Sequence, residues 1–386
     1  MTEHTSGLRW YRGNVHTHTA EPPASDVHTD ARTVAAWYRD HRYQFVVVTD
    51  HEHLTDVAPL NAQLGTADFL VLPGQEITQM VLDPAHPHGR RQAHVNAIGT
   101  DRLILPLGYP DFTGEELAVW RATPPGGLAA LLERDERIAA RFASYPTDQY
   151  TMAETFVRNV AAVRAAGGIA QINHPNLHWS VRRQDLEALD GVLLMEVANA
   201  FWAAGNLGGT DATGERTPST EELWDELLTL GMVIWATAGD DAHDYLAFDD
   251  RDAPTPGKAW ITVRAAQLTQ AAIIESLARG DFYASTGIVL DDLQSRGDRY
   301  ALTIGERHGW DGARFPAMPR YSTRFVGAGG RPLAEVSGTG PVYEIRGDEG
   351  YVRAVVRDSD GRTAWTQPVF LDDRLTRARS ATASTT

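Results

Sequence analysis

The chain contains no cysteine, which excludes disulfides and thiolate ligands and leaves only nitrogen and oxygen donors for any metal site. It has no apolar run near the ~20 residues a membrane-spanning helix needs. The opening residues 1–10 lack the basic start and apolar stretch of a secretory signal, so the expected location is cytoplasmic. Positive charge is also short: 35 Lys and Arg face 51 Asp and Glu, a formal net charge of −16. A surface of that sign repels a long phosphate backbone, so the expected partner is a small molecule, with neither long nucleic acid nor membrane. A small anionic substrate stays open, because divalent ions in a pocket would be the largest charges there.

What is present suits a large α/β protein. The 386 residues, 42% of them hydrophobic, can bury the core of one large domain, or of a large and a small one. From about residue 12 to 263, short apolar or β-branched runs alternate with helical patterns. Phe45 to Asp50, Phe69 to Leu72, Gly168 to Asn173, Gly191 to Val197 and Met232 to Ala238 have the form of buried parallel strands ending in polar residues. Thr151 with Glu154, and Ser219 with Glu222, form capping boxes that predict helices running toward Gly167 and Gly231. This serial arrangement predicts a parallel sheet, and so many units suggest a closed barrel.

Two regions break the rhythm. Residues 102–150 are long for a connection and are expected to form an insertion, either a lid or a variable surface element. After residue 290, Arg331 to Val336, Val342 to Ile345, Tyr351 to Val356 and Trp365 to Leu371 predict antiparallel strands, with a hairpin turn at Asp358 to Gly361. The expected division is a barrel over 12–290, a small β-rich region over 291–372 and a flexible tail over 373–386.

The chemistry is carried by residues at strand ends. His16 and His18 form an H-x-H pair, which puts two imidazoles on one side of an extended segment. Asp50 and His51 close an apolar strand. Glu76 is an isolated carboxylate suited to bridging two ions, and His94 opens another strand-like segment. Asn173-His174-Pro175 and Asp241-Ala-His243 end two more. Any one of these is more simply a hydrogen-bonding partner or a helix cap. Six strand boundaries that all deliver metal-competent side chains are poorly explained by packing, because parallel barrels gather catalytic residues at one rim.

This set of motifs resembles the PHP (polymerase and histidinol phosphatase) superfamily over roughly residues 12–290, including Gly280 to Gly287, which is similar to that family's closing segment. Gly350 to Arg353 and Ala364 to Pro368 resemble the C-terminal region of its CehA/McbA-type metallohydrolases. The resemblance implies a distorted (β/α)7 barrel of the PHP type with a small C-terminal antiparallel β appendage, holding two or three divalent ions. His16, His18, Glu76 and Asp241 would hold the first ion. Glu76 would bridge to a second, bound by His94 and His174. His51 and His243 would serve a third, completed by Asp26 or the nearby His28, with Asp26 favoured. Here the chain departs from the family pattern, since Ala20 to Ala24 lengthens the approach to that position.

Imidazole and carboxylate donors suit Zn, Mn and Fe without choosing among them. Ions about 3.5–4 Å apart can share a hydroxide that attacks a polarised substrate. Asp50 and Asp240 are then candidates for carboxylates that orient the imidazoles. The expected activity is hydrolysis of a small phosphate ester by a metal-bound hydroxide, with Arg90, Arg91 and Lys258 as candidate anion contacts. Asn176, Glu196 and Asn199 fall beside the expected rim. The first alternative is a carboxylic or carbamic ester hydrolase, in which Trp179, Phe201 and Trp202 could line an apolar pocket. The second is a metal-stabilised binding domain with little catalysis.

Overall fold

Four of the five strands expected from apolar runs are buried along their whole length. A computed structural model describes residues 7–374 apart from 24, 107–114, 116, 117, 120, 121, 125, 126, 144–149, 211–213, 251 and 306–318. Its first half comprises β1 (Arg9–Asn14), α1 (Ala31–Asp40), β2 (Phe45–Val48), α2 (Ala58–Leu64), β3 (Leu70–Leu82) and β4 (Arg90–Ile98). Then come α3 (Leu128–Arg134), α4 (Glu136–Ala143), α5 (Met152–Ala165), β5 (Ile169–Ile172), α6 (Arg183–Leu186) and β6 (Val192–Asn199). A short pair, β7 (Gly209–Thr210) and β8 (Arg216–Thr217), precedes α7 (Thr220–Thr229) and β9 (Val233–Gly239). Every residue of β2, β5, β6 and β9 is buried, the signature of strands covered on both faces. The two capping boxes are in place at α5 and α7. No helix among the described residues is long and apolar enough to cross a membrane.

The second half adds β10 (Trp260–Ala265), α8 (Gln270–Arg279), β11 (Phe282–Ser285), β12 (Leu290–Arg296), β13 (Arg299–Ile304), β14 (Tyr321–Gly327) and β15 (Arg331–Ser337). It ends with β16 (Val342–Glu344), β17 (Tyr351–Asp358), β18 (Thr363–Thr366) and β19 (Val369–Phe370). One large mixed sheet runs β15-β14-β17-β18-β11-β10-β1-β2-β3-β4-β5-β6-β9. The C-terminal strands are antiparallel as expected, yet they continue this central sheet through the β18–β11 pairing of Trp365 with Ala284. Only β12, β13 and β16 form a separate three-stranded sheet.

Two features differ from the expected closed (β/α)7 barrel. First, the strand expected to stop at Leu72 runs on to Leu82 and returns as β4, antiparallel, with Thr78 opposite His94 and Leu82 opposite Arg90. A tight turn over 83–89 makes this return, so no helix crosses over between the two strands. Second, no hydrogen-bonded ladder joins β9 to β1 among the described residues. The two meet beyond their C-terminal ends, where the Asp241 N–H donates to the His16 carbonyl at 2.9 Å and the His18 N–H to the Ala242 carbonyl at 3.1 Å. The outer edge of β9 is capped by a side chain instead. Gln367 accepts from the Ala236 N–H at 2.8 Å and donates to the Ala236 carbonyl at 2.7 Å, imitating a strand partner.

Within 102–150 the described residues include α3 and α4, while 107–114, 116, 117, 120, 121, 125, 126 and 144–149 lie outside them, as does the tail beyond Arg374. The C-terminal strands are locked to α7 by Arg353. Its fully buried guanidinium donates to Asp225 at 2.8 and 2.5 Å and to Glu221 at 3.1 Å, and lies 4.6 Å from the Trp224 ring. A buried cation is tolerable only when carboxylates pair with it in this way.

Gln367→Met should lower stability by about 1–3 kcal/mol, because it strands a buried N–H and C=O on β9. Urea unfolding followed by circular dichroism measures this, and an unchanged midpoint would show that the β9 edge does not depend on the amide.

Candidate metal centre

The chain leaving β1 carries His16 and His18 two residues apart, so both imidazoles face the same side. Glu76, on β3, stands at the centre of what they face. Its Oε2 lies 3.5 Å from Nε2 of His16, 3.5 Å from Nε2 of His18 and 3.1 Å from Nδ1 of His51. Its Oε1 lies 2.9 Å from Nδ1 of His94 and 3.4 Å from Nε2 of His174. Asp241 is the second hub: Oδ1 is 3.2 Å from His16 and 3.0 Å from His18, and Oδ2 is 3.7 Å from His174. His243 stands 3.7 Å from Asp241.

These side chains form four overlapping sets of potential ligands, each with its atoms within 4.8 Å of one another: His16, His18 and Glu76; His16, His174 and Asp241; Glu76, His94 and His174; and His18, His51 and His243. The donors fit metal ions on a further ground. The buried atoms Nε2 of His16, Nδ1 of His18, Oε2 of Glu76 and Nε2 of His94 have no hydrogen-bond partner. Orphaned polar atoms are rare in protein interiors, and four in one cluster call for cations. Imidazole nitrogen with carboxylate oxygen suits Zn, Mn or Fe.

The cluster is electrostatically coupled. Burial pushes Glu76 and Asp241 up, but the surrounding imidazoles, His16 foremost, hold both carboxylates well below their usual range. Burial pushes His16 down, but Asp241, Glu196 and Glu76 outweigh it and leave it well above its ordinary value. For His18 burial wins, reinforced by His243 and His51, and its pKa falls to about 3.

Three residues here adopt the left-handed backbone that non-glycine residues avoid: Glu52 at φ 46°, His174 at 21° and Asp241 at 49°. Such strain persists only where neighbours enforce it. The Asp241 N–H is held by His16, and the Glu52 carboxylate accepts from the Thr78 N–H at 2.6 Å.

Glu196 supports the ligands. Its Oε1 is 2.8 Å from Nδ1 of His16, while Oε2 accepts from the His174 N–H and from Asn199 Nδ2, both at 2.8 Å. Asn199 also reaches Asp241 at 3.2 Å. Asn173 donates to Glu76 Oε1 at 2.7 Å and to Asn96 at 2.9 Å. No role for Asn173 was legible in the sequence. The one signal was its place beside His174 at the end of a buried strand.

Several expected roles are corrected. Asp50 touches no imidazole: it accepts from the Thr19 N–H at 2.6 Å, the Thr19 hydroxyl at 2.8 Å and the Thr55 hydroxyl at 2.5 Å. Burial raises its pKa to about 7 against those bonds. Asp240 likewise binds Asn14, Tyr38 and the N–H groups of Gly257, Lys258 and Ala259. Each is the chain neighbour of a cluster residue, yet its carboxylate is taken up by hydroxyl, amide and backbone N–H donors instead of imidazoles. Arg91 points away from the His94 face, because side chains alternate along β4. Its guanidinium grips the Asp185 carboxylate and the Ser180 carbonyl. Lys258 donates its ammonium to the Ala253 carbonyl at 2.6 Å. Arg90 alone of the three expected anion contacts shares the His94 face of β4 and stays exposed. Asp26 lies 3.6 Å from Nε2 of His243, at the margin of the imidazole-only set, with its side chain 64% exposed. Asn176 is turned away, donating to Gly205 and Pro218. Trp202 is exposed, Trp179 lies against Gly209, and Phe201 sits 5.8 Å from the His243 ring.

No protein family and no curated protein matches the chain. Among solved structures it is similar to a two-domain protein from Bacteroides vulgatus containing a predicted PHP-like metal-dependent phosphoesterase, at 14% identity over 95% of this chain and 97% of that one, TM-score 0.42. It is also similar to an inferred metal-dependent phosphoesterase from Bifidobacterium adolescentis (19% identity, 60% of this chain and 87% of that one, TM-score 0.34). A third likeness is to an amidohydrolase from Chromobacterium violaceum, solved with sulfate and no metal (16% identity, 60% and 87% coverage, TM-score 0.34).

Glu196→Gln should weaken metal binding roughly 10–100-fold, since it loosens both His16 and the His174 backbone, whereas Asp50→Asn should cost less. Competition with a chelating dye gives both affinities, and the reverse order would show that Asp50 rather than Glu196 governs the ligands.

Proposed function

We propose that this chain is a PHP-type, CehA/McbA-like metallohydrolase of small phosphate esters, working with two or three divalent transition-metal ions. The observation that carries this is the ligand set itself: two carboxylates, Glu76 and Asp241, are shared among six imidazoles whose free donor atoms converge on common points. His16, His18, Glu76 and Asp241 would hold one ion. Glu76, His94 and His174 would hold a second, and His51 and His243, with His18 or Asp26, a third. Ions there would supply an acidified water as nucleophile and neutralise charge on the phosphoryl oxygens.

The chain's own residues set the terms of that chemistry. Glu196 accepts from Nδ1 of His16, so the lone pair of Nε2 faces the cluster. Asn173 fixes one oxygen of Glu76, which leaves the other for sharing. Imidazoles that ligate an ion would be neutral, so the centre's charge would favour an anionic substrate. Two divalent ions would bring +4 against −3 from Glu76, Asp241 and Glu196, a surplus of +1 before a bound hydroxide or any third ion is counted. A phosphate ester answers that surplus, and a neutral ester does not. One observation favours the alternative, a carboxylic or carbamic ester hydrolase: Phe201 places an apolar face beside His243.

The metal-loaded protein should hydrolyse p-nitrophenyl phosphate, lose the activity to a chelator and regain it with Zn, Mn or Fe. Glu76→Gln should reduce kcat/KM by at least about 100-fold, because losing the shared carboxylate disrupts two sites at once. Turnover of p-nitrophenyl acetate without phosphatase activity would move the assignment to the ester hydrolase. Full metal content with neither activity would leave a metal-stabilised binding domain.

A further inference from the structure

The three expected anion contacts split once their surroundings are known. Arg91 is neutralised by Asp185, and Lys258 is turned to a backbone carbonyl. Arg90 has no ion pair or side-chain hydrogen bond among the described residues, and it borders a cavity of about 250 Å³ lined by His88, Arg90, Gln92, His178 and Ser180. No carboxylate lines that cavity. In a chain of net charge −16, a concave site of one arginine and four other polar side chains, none a carboxylate, is a distinct electrostatic environment.

The cavity is built rather than incidental. Ser180 is 2% exposed, yet its hydroxyl has no hydrogen-bond partner. His178 is presented by a turn in which it and Trp179 both take positive φ, 52° and 56°. His86, from the turn between β3 and β4, secures that segment, its Nε2 lying 3.0 Å from the His178 carbonyl. The rings of His88 and His178 stand 5.3 Å apart, edge to face.

The site is also continuous with the metal centre. Arg90, Gln92 and His94 alternate along β4 and so share one face. On the other wall, His178 follows the ligand His174 by one turn, closed by the Leu177 N–H donating to the His174 carbonyl at 2.8 Å. Four residues of strand separate Arg90 from His94, roughly 13 Å at about 3.3 Å per residue. That is too far for Arg90 to hold a phosphoryl group seated on the ions.

We infer that the substrate carries a second anionic group, phosphate or carboxylate, about 10 Å from its scissile phosphate, and that this group seats among Arg90, His88, Gln92, His178 and Ser180. This rests on the phosphoesterase assignment for the metal centre and narrows it to dianionic-ended substrates. Arg90 is then a specificity-determining residue, since its guanidinium fork matches either oxyanion.

The test is calorimetric binding to the metal-loaded protein of hexylphosphonate, hexane-1,6-bisphosphonate and a phosphonate of equal length ending in a carboxylate. None of them is hydrolysed. One of the two doubly anionic ligands should bind at least about tenfold tighter than hexylphosphonate, the advantage of a charge-assisted contact. R90M should collapse that ratio toward unity, and Arg90→Lys should restore part of it. Whichever ligand is preferred identifies the second group. Equal affinity for all three ligands, or a preference that R90M leaves intact, overturns the inference. Failure of the phosphoesterase assignment is seen separately, as a metal-loaded protein that turns over neutral esters and no phosphate ester.

Discussion

Two carboxylates buried among six imidazoles are the constraint to which the rest of this architecture answers. Glu76 and Asp241 are both buried, and among the described residues neither is paired with a lysine or arginine. Burying them is tolerable only because positive charge can be placed between the rings, whether as protons on His16 or as metal ions. The strained backbone at His174 and Asp241 lies at the same spot. It is what aims side chains from separate strands at a common centre, and the stitches between strand ends hold it in place. The His16–Asp241 and His18–Ala242 backbone hydrogen bonds join β1 to β9 only at the level of the ligands. The sheet is thus tied where the chemistry needs rigidity and left without a ladder below.

The open edge that results has its own solution. An unpaired strand edge buried in a protein carries donors and acceptors that must be satisfied. At Ala236 the Gln367 amide does so from the C-terminal strands, while Arg353 fixes those strands to α7 through Asp225 and Glu221. The C-terminal region, expected as an appendage, supplies polar partners that the central sheet lacks. Its continuity with β11 follows from that.

Legibility in the sequence divided along physical lines. Elements with a single-residue or periodic signature were readable: the capping boxes at Thr151 and Ser219, the apolar runs within β2, β6 and β9, and the ligand-type residues at strand ends. Roles set by which partners a side chain meets were harder. Asp50 and Asp240 look like orienting carboxylates because they adjoin cluster residues, but their oxygens are taken up by hydroxyls and backbone N–H groups. The orienting carboxylate is Glu196, the only acid in the otherwise apolar and amide run of β6. A charged residue in a fully buried strand needs a partner, and that argument could have raised it above the exposed candidates. The β3–β4 hairpin was missed because Phe69 to Leu72 carries a complete strand signal by itself, and nothing local marks the strand as continuing past Gly74.

That hairpin has the largest consequence for function. Had β3 ended at the rim and crossed over through a helix, His94 would stand alone on a short parallel strand. Because β3 instead runs on and returns, β4 carries His94 in the imidazole–carboxylate cluster and Arg90 four residues away on the same face. Arg91, one residue along, is consigned to the opposite face and to Asp185. A one-residue slip in the β4 register would exchange those fates, exposing Arg91 and turning Arg90 to the buried face. The pairing of Thr78 with His94 opposes such a slip, since Thr78 also lies 2.7 Å from Nδ1 of His51 and donates its backbone N–H to Glu52. Register, ligand position and the place of the uncompensated cation are therefore set by one set of hydrogen bonds around Thr78.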